Sequence, residues 1–206
     1  MIKQNKKVLI IRCGLLGDTI DATSVIQPLV ELYGPQVEIH WVSKPGICEL
    51  FKYDNRVRKV YVLKHTKLPF ILNIPKFNII LNSLFNPYEL IINLEIGNKF
   101  NDIAKFSRAK NKLGMPFDYI KDDVFKEHRV EHQLRILNKY FKEYNKENAK
   151  PSIIGIDKKD VIENLWKIII SDKTIDQYES NLMRRICGLI YFSDKECAEI
   201  KLRLMN

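Results

Sequence analysis

Val8-Leu9-Ile10-Ile11-Arg12-Cys13-Gly14-Leu15-Leu16-Gly17-Asp18-Thr19 is the most informative segment of the sequence. Its apolar run is typical of a strand buried on both faces. The glycines that follow indicate a turn where the backbone can approach a ligand, and the helix after the turn would present N–H groups to it. The third glycine of GxGxxG and the Walker GK[ST] are both absent, so neither a dinucleotide site nor a P-loop is predicted.

Asp18 is the candidate functional residue of this segment. It lies where a parallel strand ends, and open α/β sheets place their ligand crevice at such ends. Two roles are open for its carboxylate: capping of the helix that follows, or general-base catalysis toward a hydroxyl group. The pattern alone favours capping, because Asp is a preferred residue at helix starts.

Apolar runs and helical patterns alternate through the first two thirds of the chain. Four further strands are predicted, at residues 37–42, 57–63, 88–94 and 112–114. Helical periodicity covers residues 20–30 and 128–144. The alternation predicts an α/β fold with a Rossmann-like parallel sheet.

The character of the chain changes after residue 144. A polar stretch with Lys150-Pro151-Ser152 indicates a linker, and the residues beyond Asp157 show helical patterns without a strand pattern. The predicted organisation is therefore an α/β domain at 1–144, a linker at 145–156 and a small all-α helical segment at 157–206.

Composition narrows the class of protein. Of 206 residues, 46% are hydrophobic and 29% charged, which is typical of a globular protein and excludes wholesale disorder. Neither a membrane span nor a signal-peptide core is predicted. Four cysteines without a CxxC pair favour a reducing cytoplasm. Residues 157–206 contain equal numbers of acidic and basic residues, so the net charge of +9 lies in residues 1–156 and favours anionic partners.

The segment at Val8–Thr19 resembles the amino terminus of glycosyltransferase family 9, the ADP-heptose:lipopolysaccharide heptosyltransferases. The likeness continues through Val37–Val42, Val57–Val60, Tyr88–Glu95 and the helix that opens at His128. It covers roughly residues 6–144, in order and at family-like spacing, which is more specific than a single motif.

The resemblance implies the amino-terminal, acceptor-binding half of a GT-B sugar transferase. Carried over by position, Asp18 would be the base that deprotonates the acceptor hydroxyl. The implied partners are a nucleotide-sugar donor and an anionic saccharide acceptor of lipopolysaccharide type. The family's second, donor-binding Rossmann domain is not evident after the linker, so the resemblance predicts an incomplete transferase. A second carboxylate, Asp21, stands where an apolar residue is commoner in the family.

Further substrate-binding candidates are Gly14, Gly17 and Thr19 in the turn, with Lys64 and Lys67 in a basic, partly apolar stretch. That stretch suits acidic sugars, phosphates or the inner face of the inner membrane, where peripheral contact is a further expectation. A solvated face over a buried loop is the alternative. No nucleic-acid-binding module is recognised.

Residues 157–205 resemble a second family, the carboxyl-terminal half of tellurite-resistance TerB-like proteins. Val161–Trp166, Ser171–Glu179 and Leu182–Ile190 carry the likeness. It implies an all-helical module and an alternative function in stress response or metal binding. Asp172, Asp176 and Glu179 are weak metal candidates, since the spacing lacks the elements of an EF-hand. We predict neither a resident metal nor a cofactor.

The histidine pair His128 and His132 and the thiol of Cys13 each allow a functional and a structural interpretation. His128 and His132 lie at i and i+4 in an H-x-x-E-H string, which would place two zinc ligands on one helix face. Solvated histidines at a helix start are the alternative. Cys13 in the glycine turn is either a reactive thiol or a small residue packed under the turn.

Overall fold

The structure is a computed structural model that describes residues 5–64, 72–117, 128–141, 144–155, 157–170 and 177–205. The chain divides into two compact units, Met1–Pro151 and Ser152–Asn206. Their boundary falls inside the linker predicted at 145–156. Each unit has its own hydrophobic core and is described by itself.

The first unit contains a five-stranded parallel sheet, which confirms the predicted α/β class. The strands are β1 (Lys7–Ile11), β2 (Glu38–Ser43), β3 (Val57–Val62), β4 (Tyr88–Asn93) and β5 (Ala109–Gly114). Their order is β3-β2-β1-β4-β5, and every neighbouring pair is parallel. The first strand is therefore the central one.

Among the residues that the structure describes, five α-helices accompany this sheet: α1 (Leu16–Ala22), α2 (Ile26–Tyr33), α3 (Ile74–Phe85), α4 (Asn101–Phe106) and α5 (Arg129–Asn138). The helix predicted at 20–30 is divided by a 3-10 turn at Thr23–Val25. Pro28 explains the break, because it has no N–H to donate to the carbonyl of Ser24. The helix predicted at 128–144 ends earlier, at Asn138.

Residues of β1 alternate between two apolar layers, as strand geometry requires. Val8 and Ile10 belong to the layer that also contains residues of α2 and α5. Leu9 and Ile11 belong to the layer that contains residues of α3 and α4. All four side chains are fully buried, so the central strand is covered on both faces.

The described part of the second unit contains three helices, α6 (Lys158–Ile170), α7 (Gln177–Ile190) and α8 (Asp194–Met205), in agreement with the predicted helical segment. Its core members are Ile162, Trp166, Met183, Cys187, Cys197 and Ile200. Trp166 Nε1 donates a hydrogen bond to Cys197 Sγ over 3.3 Å. Across the described part of the chain, no helix is long and apolar enough to cross a membrane.

His40 on β2 lies between two tyrosine rings. Its ring is 5.8 Å from that of Tyr61 and 5.6 Å from that of Tyr88, and Nδ1 is 3.1 Å from Tyr88 Oη. Burial lowers the pKa of His40 to about 4, and the charges of Lys59 and Lys7 act in the same direction, whereas Glu38 opposes it. The imidazole is therefore neutral in the folded protein at neutral pH.

We expect His40 to make the first unit acid-sensitive. Below its ordinary pKa of 6.5 the unfolded chain binds a proton that the folded chain excludes until about pH 4. Stability is thus fully present above pH 6.5 and falls toward pH 4, with a loss of about 2 kcal/mol from this one group. Urea unfolding at pH 7 and pH 4.5 measures that loss.

The matched comparison for this prediction is His40→Gln, which retains a polar side chain but does not titrate. Both proteins carry Trp166→Phe, so that Trp41, which adjoins His40 in β2, reports the first unit alone. The variant should lose less stability on acidification than its parent. An equal loss in both proteins would contradict the assignment to His40.

Candidate functional site

The candidate site lies at the carboxyl ends of β1 and β4. From the central strand β1 the chain proceeds to β2 and β3 on one side, and then returns to β4 on the other. In open α/β sheets, ligands bind at the point where the strand order reverses in this way. The glycine turn after β1 therefore occupies the expected ligand crevice.

Gly14 is the residue of the turn that requires the absence of a side chain. A Cβ at this position would lie 2.7 Å from Asp18 Cβ, 2.9 Å from Asp18 Oδ2 and 3.0 Å from Arg12 Nε. The glycine thus leaves room for Asp18 to fold back over the turn and for Arg12 to pass beneath it. Its role here is to admit these two side chains.

Asp18 uses its two carboxylate oxygens differently. Oδ2 accepts a hydrogen bond from the backbone N–H of Leu15 over 3.2 Å, from the third position of α1 to the residue that precedes the helix. Oδ1 is 3.4 Å from Arg12 Nη2 and also pairs with Arg129 Nη1. The side chain is 20% exposed. One oxygen therefore stabilises the helix start, whereas the other faces two cations.

Arg12 and Glu95 complete the floor of the site. Arg12 is buried, and its Nη1 donates a hydrogen bond to the carbonyl oxygen of Leu94 over 2.7 Å. Glu95 Oε1 accepts from the backbone N–H of Cys13, and its own N–H donates to Asn93 Oδ1 over 3.2 Å. These bonds connect the ends of β1 and β4 and fix the glycine turn between them.

The thiol of Cys13 is packed under the turn. It is buried, and its Sγ is 3.6 Å from the carbonyl oxygen of Val42. Burial, with a smaller contribution from the Glu95 carboxylate, raises the pKa of Cys13 well above its ordinary value. A raised pKa opposes the thiolate that a reactive cysteine needs, so the packing interpretation agrees with the structure.

The other predicted substrate-binding residues are dispersed. Gly17 is in the first turn of α1, close to Asp18. Thr19 is fully buried, and its hydroxyl has no hydrogen-bond partner within the described ranges. Lys64 is exposed just beyond β3 and lines a separate cleft of about 420 Å³ together with Val62, Leu72 and Ile74. Lys67 lies outside the described residues.

Two basic residues of the stretch around Lys64, Arg56 and Lys76, have carboxylate partners within the first unit. Arg56 makes an ion pair with Asp54 over 2.7 Å. Lys76 is buried and pairs with Asp102 over 2.6 Å. Those two cations have internal partners, whereas Lys64 faces the cleft described above.

The weak metal candidates are only partly described. Glu179 lies in the first turn of α7, whereas Asp172 and Asp176 lie outside the described residues. His128 caps α5, where its Nδ1 accepts from the backbone N–H of Val130 over 3.3 Å. Within the described ranges, no group of three or more His, Cys, Asp or Glu side chains is placed to hold a metal ion.

The sequence pattern predicted Asp18 as a site residue, but it did not predict that Arg12, Arg129 and Glu95 lie around it. Arg12 carried a signal, since a charged residue directly after a four-residue apolar run would be buried at a strand end. Glu95 carried the same kind of signal, since it directly follows the strand predicted at 88–94, whereas Arg129 reaches the site through the packing of α5 and carried no local signal. The assembled group places a carboxylate beside two guanidinium groups at the end of the sheet where a polar ligand can bind.

Comparisons with solved structures confirm the fold that the first resemblance implied. A glycosyl transferase family 9 structure from Veillonella parvula superposes with a TM-score of 0.62 at 16% identity, covering 85% of this chain and 52% of that one. Escherichia coli heptosyltransferase WaaC with ADP superposes with a TM-score of 0.54 at 11% identity, covering 89% of this chain and 72% of that one. For Escherichia coli ADP-heptose lps heptosyltransferase II the TM-score is 0.54 at 13% identity, and the match covers 83% of this chain and 51% of that one.

This chain spans about half the length of the first and third of these structures. The family profile described as tellurite resistance protein TerB matches residues 139–202, which confirms the second resemblance. A search of curated proteins found no match. The chain thus combines an α/β unit of the kind found in heptosyltransferases with a TerB-like segment.

Proposed function

We propose that the α/β unit is the acceptor-binding half of a glycosyltransferase and that Asp18 is its general base. The observation that carries this proposal is the position of the Asp18 carboxylate, which lies between Arg12 and Arg129 where the strand order reverses. The structural likeness to heptosyltransferases supports the same class of activity.

The proposed reaction transfers a sugar from a nucleotide-sugar donor to a saccharide. The acceptor hydroxyl oxygen forms a bond to the anomeric carbon, and the bond from that carbon to the nucleoside diphosphate breaks. The electron pair of the broken bond leaves with the diphosphate. Asp18 Oδ1 takes the proton of the attacking hydroxyl, while Oδ2 remains bonded to the N–H of Leu15.

The proposed acceptor and donor are supported by the net charge of the chain and by the ligands of the similar solved structures. The net charge of +9, which lies in residues 1–156, suits an anionic saccharide such as one of lipopolysaccharide type. The solved structures of WaaC contain ADP and ADP-2-deoxy-2-fluoro heptose, which supports a nucleotide-sugar donor. The cleft beside Lys64, with exposed Val62, Leu72 and Ile74, suits peripheral contact with an anionic membrane face.

The test is sugar transfer by the full chain, measured with ADP-heptose and a lipopolysaccharide acceptor. Asp18→Asn should lower the rate at least about 100-fold, because removal of a general base costs that much or more. Asp21→Asn removes a carboxylate from the same helix and serves as the matched control, with an expected rate close to that of the parent. Thermal unfolding of both variants shows whether they are folded.

A rate for Asp18→Asn that equals the control would overturn the role of Asp18. Absence of both sugar transfer and binding of the lipopolysaccharide acceptor by the folded parent chain would overturn the proposed function as a whole. A second candidate function would then remain, a non-catalytic TerB-like module in stress response or metal binding, which the match over residues 139–202 favours.

A further inference from the structure

The two arginines that face Asp18 are held differently. Arg12 is 3% exposed, and its bond to the Leu94 carbonyl fixes it between the ends of β1 and β4. Arg129 is the first residue of α5, and its side chain is 44% exposed. Arg12 is therefore a permanent partner of the carboxylate, whereas Arg129 can exchange Asp18 for another anion without unfolding the protein.

The two cations also oppose each other. Partial burial lowers the pKa of Arg129, and the positive charge of Arg12 acts in the same direction, although an arginine remains protonated at neutral pH. Glu95, a second carboxylate at the strand ends, accepts the N–H of Cys13. Oδ1 of Asp18 thus faces two guanidinium groups, one buried and one half-exposed.

An ion pair of this kind has a direct chemical consequence for a base. Each guanidinium beside a carboxylate stabilises the ionised form and so lowers its affinity for a proton. A weaker affinity for the proton makes a weaker general base. With both arginines in contact, Asp18 is well oriented but poorly basic, and the exposed partner is the one whose departure would restore its basicity.

We propose that Arg129 is a positioning residue that suppresses the basicity of Asp18 until an anionic group of the bound saccharide takes over its guanidinium. This inference rests on the proposed function for its biological meaning, since it concerns the same carboxylate. The effect of Arg129 on the proton affinity of Asp18 can be measured whether or not the chain transfers a sugar. Arg129 moves from Asp18 Oδ1 to the ligand anion, and Asp18 keeps Arg12 and the N–H of Leu15 as partners.

Carboxyl-carbon NMR of the full chain tests the proposal without an activity assay. The Asp18 resonance is assigned by its loss in Asp18→Asn, and its pKa is read from a pH titration. The other carboxyl groups to be followed with it are Glu95 after β4, Asp21 in α1 and Glu131 in α5, while Arg12, Arg129 and His132 are the cationic or ionisable side chains on the same elements. Of these carboxyl groups, only Asp18 should show a strongly changed pKa when Arg129 is substituted.

Arg129→Gln should raise the pKa of Asp18 by about 1, the lower end of the effect of an adjacent arginine on a carboxylate. Arg135→Gln removes the same charge from the last turn of α5 and should leave the pKa of Asp18 unchanged. Arg129→Lys retains the positive charge and should restore most of the parent value. If Arg129 had a purely structural role, the pKa of Asp18 would not depend in this way on whether the substituted side chain is charged.

Inorganic phosphate is the probe for the exchange. Millimolar phosphate should raise the pKa of Asp18 in the parent protein and leave it unchanged in Arg129→Gln. Equal pKa values of Asp18 in Arg129→Gln and Arg135→Gln, or equal responses of the parent and Arg129→Gln to phosphate, would overturn the proposal. Absence of both sugar transfer and acceptor binding would instead overturn only the proposed function, because these titrations do not depend on it.

Discussion

Gly114→Ala is expected to lower the free energy of unfolding of the first unit by about 3–4 kcal/mol, the combined cost of a left-handed backbone and an overpacked core. Gly114 ends β5 at a φ of +77°. A Cβ there would lie 2.0 Å from the carbonyl oxygen of Asn93 and 2.9 Å from its carbonyl carbon. Backbone atoms cannot rotate away, so β5 must shift from β4.

The displacement would also reach the candidate site. The carbonyl of Asn93 accepts the N–H of Met115 over 3.0 Å, and its side-chain amide donates to the carbonyl of Met115 over 2.9 Å. Asn93 Oδ1 in turn accepts the N–H of Glu95. A shift of Asn93 therefore disturbs the residue that holds the glycine turn.

Gly34→Ala is the matched control, because Gly34 has a similar φ of +87° and no atom within 4 Å of an added Cβ. It lacks the crowding, but its ψ of 167° places it in a backbone region that other residues rarely adopt, so it should cost about 2 kcal/mol. Urea unfolding monitored by Trp41, with Trp166→Phe in every protein, measures both losses. Losses of equal size would show that crowding at Asn93 contributes nothing.

Lys76→Met is expected to cost about 3 kcal/mol, because it leaves a partly buried carboxylate without its cation. Lys76 is 5% exposed, and its Nζ donates to the carbonyl of Lys99 over 2.8 Å and to Asp102 Oδ2 over 2.6 Å. The ammonium also lies 5.2 Å from the centre of the Phe100 ring. It thereby connects α3 to the start of α4.

Lys110→Met removes a lysine from an exposed ion pair and is the control for this prediction. Lys110 Nζ is 2.9 Å from Glu89 Oε2, but the lysine side chain is 71% exposed. Solvent and side-chain entropy reduce such a pair to at most about 1 kcal/mol. The same unfolding assay compares the two variants, and a loss at Lys76 no larger than that at Lys110 would contradict the assigned role.

Much of the sheet was predictable because its inner strands contain uninterrupted apolar runs. Val8–Ile11 in β1 and Leu90–Ile92 in β4 are such runs, and they are typical of strands that are buried on both faces. The edge strand β5 was predicted too short because Lys110 and Asn111 obscure it. Polar and charged residues are common on edge strands, where they oppose pairing with other chains.

The candidate site was only half predictable for a different reason. Gly14 and Asp18 contact each other within one turn, so their relation is local and visible in the pattern. The bond from Arg12 to Leu94 joins residues 82 positions apart. Contacts over such a separation depend on how β4 and α5 pack, and a single sequence does not display that packing.

The central place of β1 also affects how the chain is made. Its first neighbour, β2, follows within the next stretch of sequence, but its second neighbour, β4, emerges from the ribosome only after β3 and α3. Until then one edge of a strand with four consecutive apolar residues has no hydrogen-bonding partner, which is the feature that invites intermolecular pairing. The nascent chain is therefore most vulnerable to aggregation between the synthesis of β2 and that of β4.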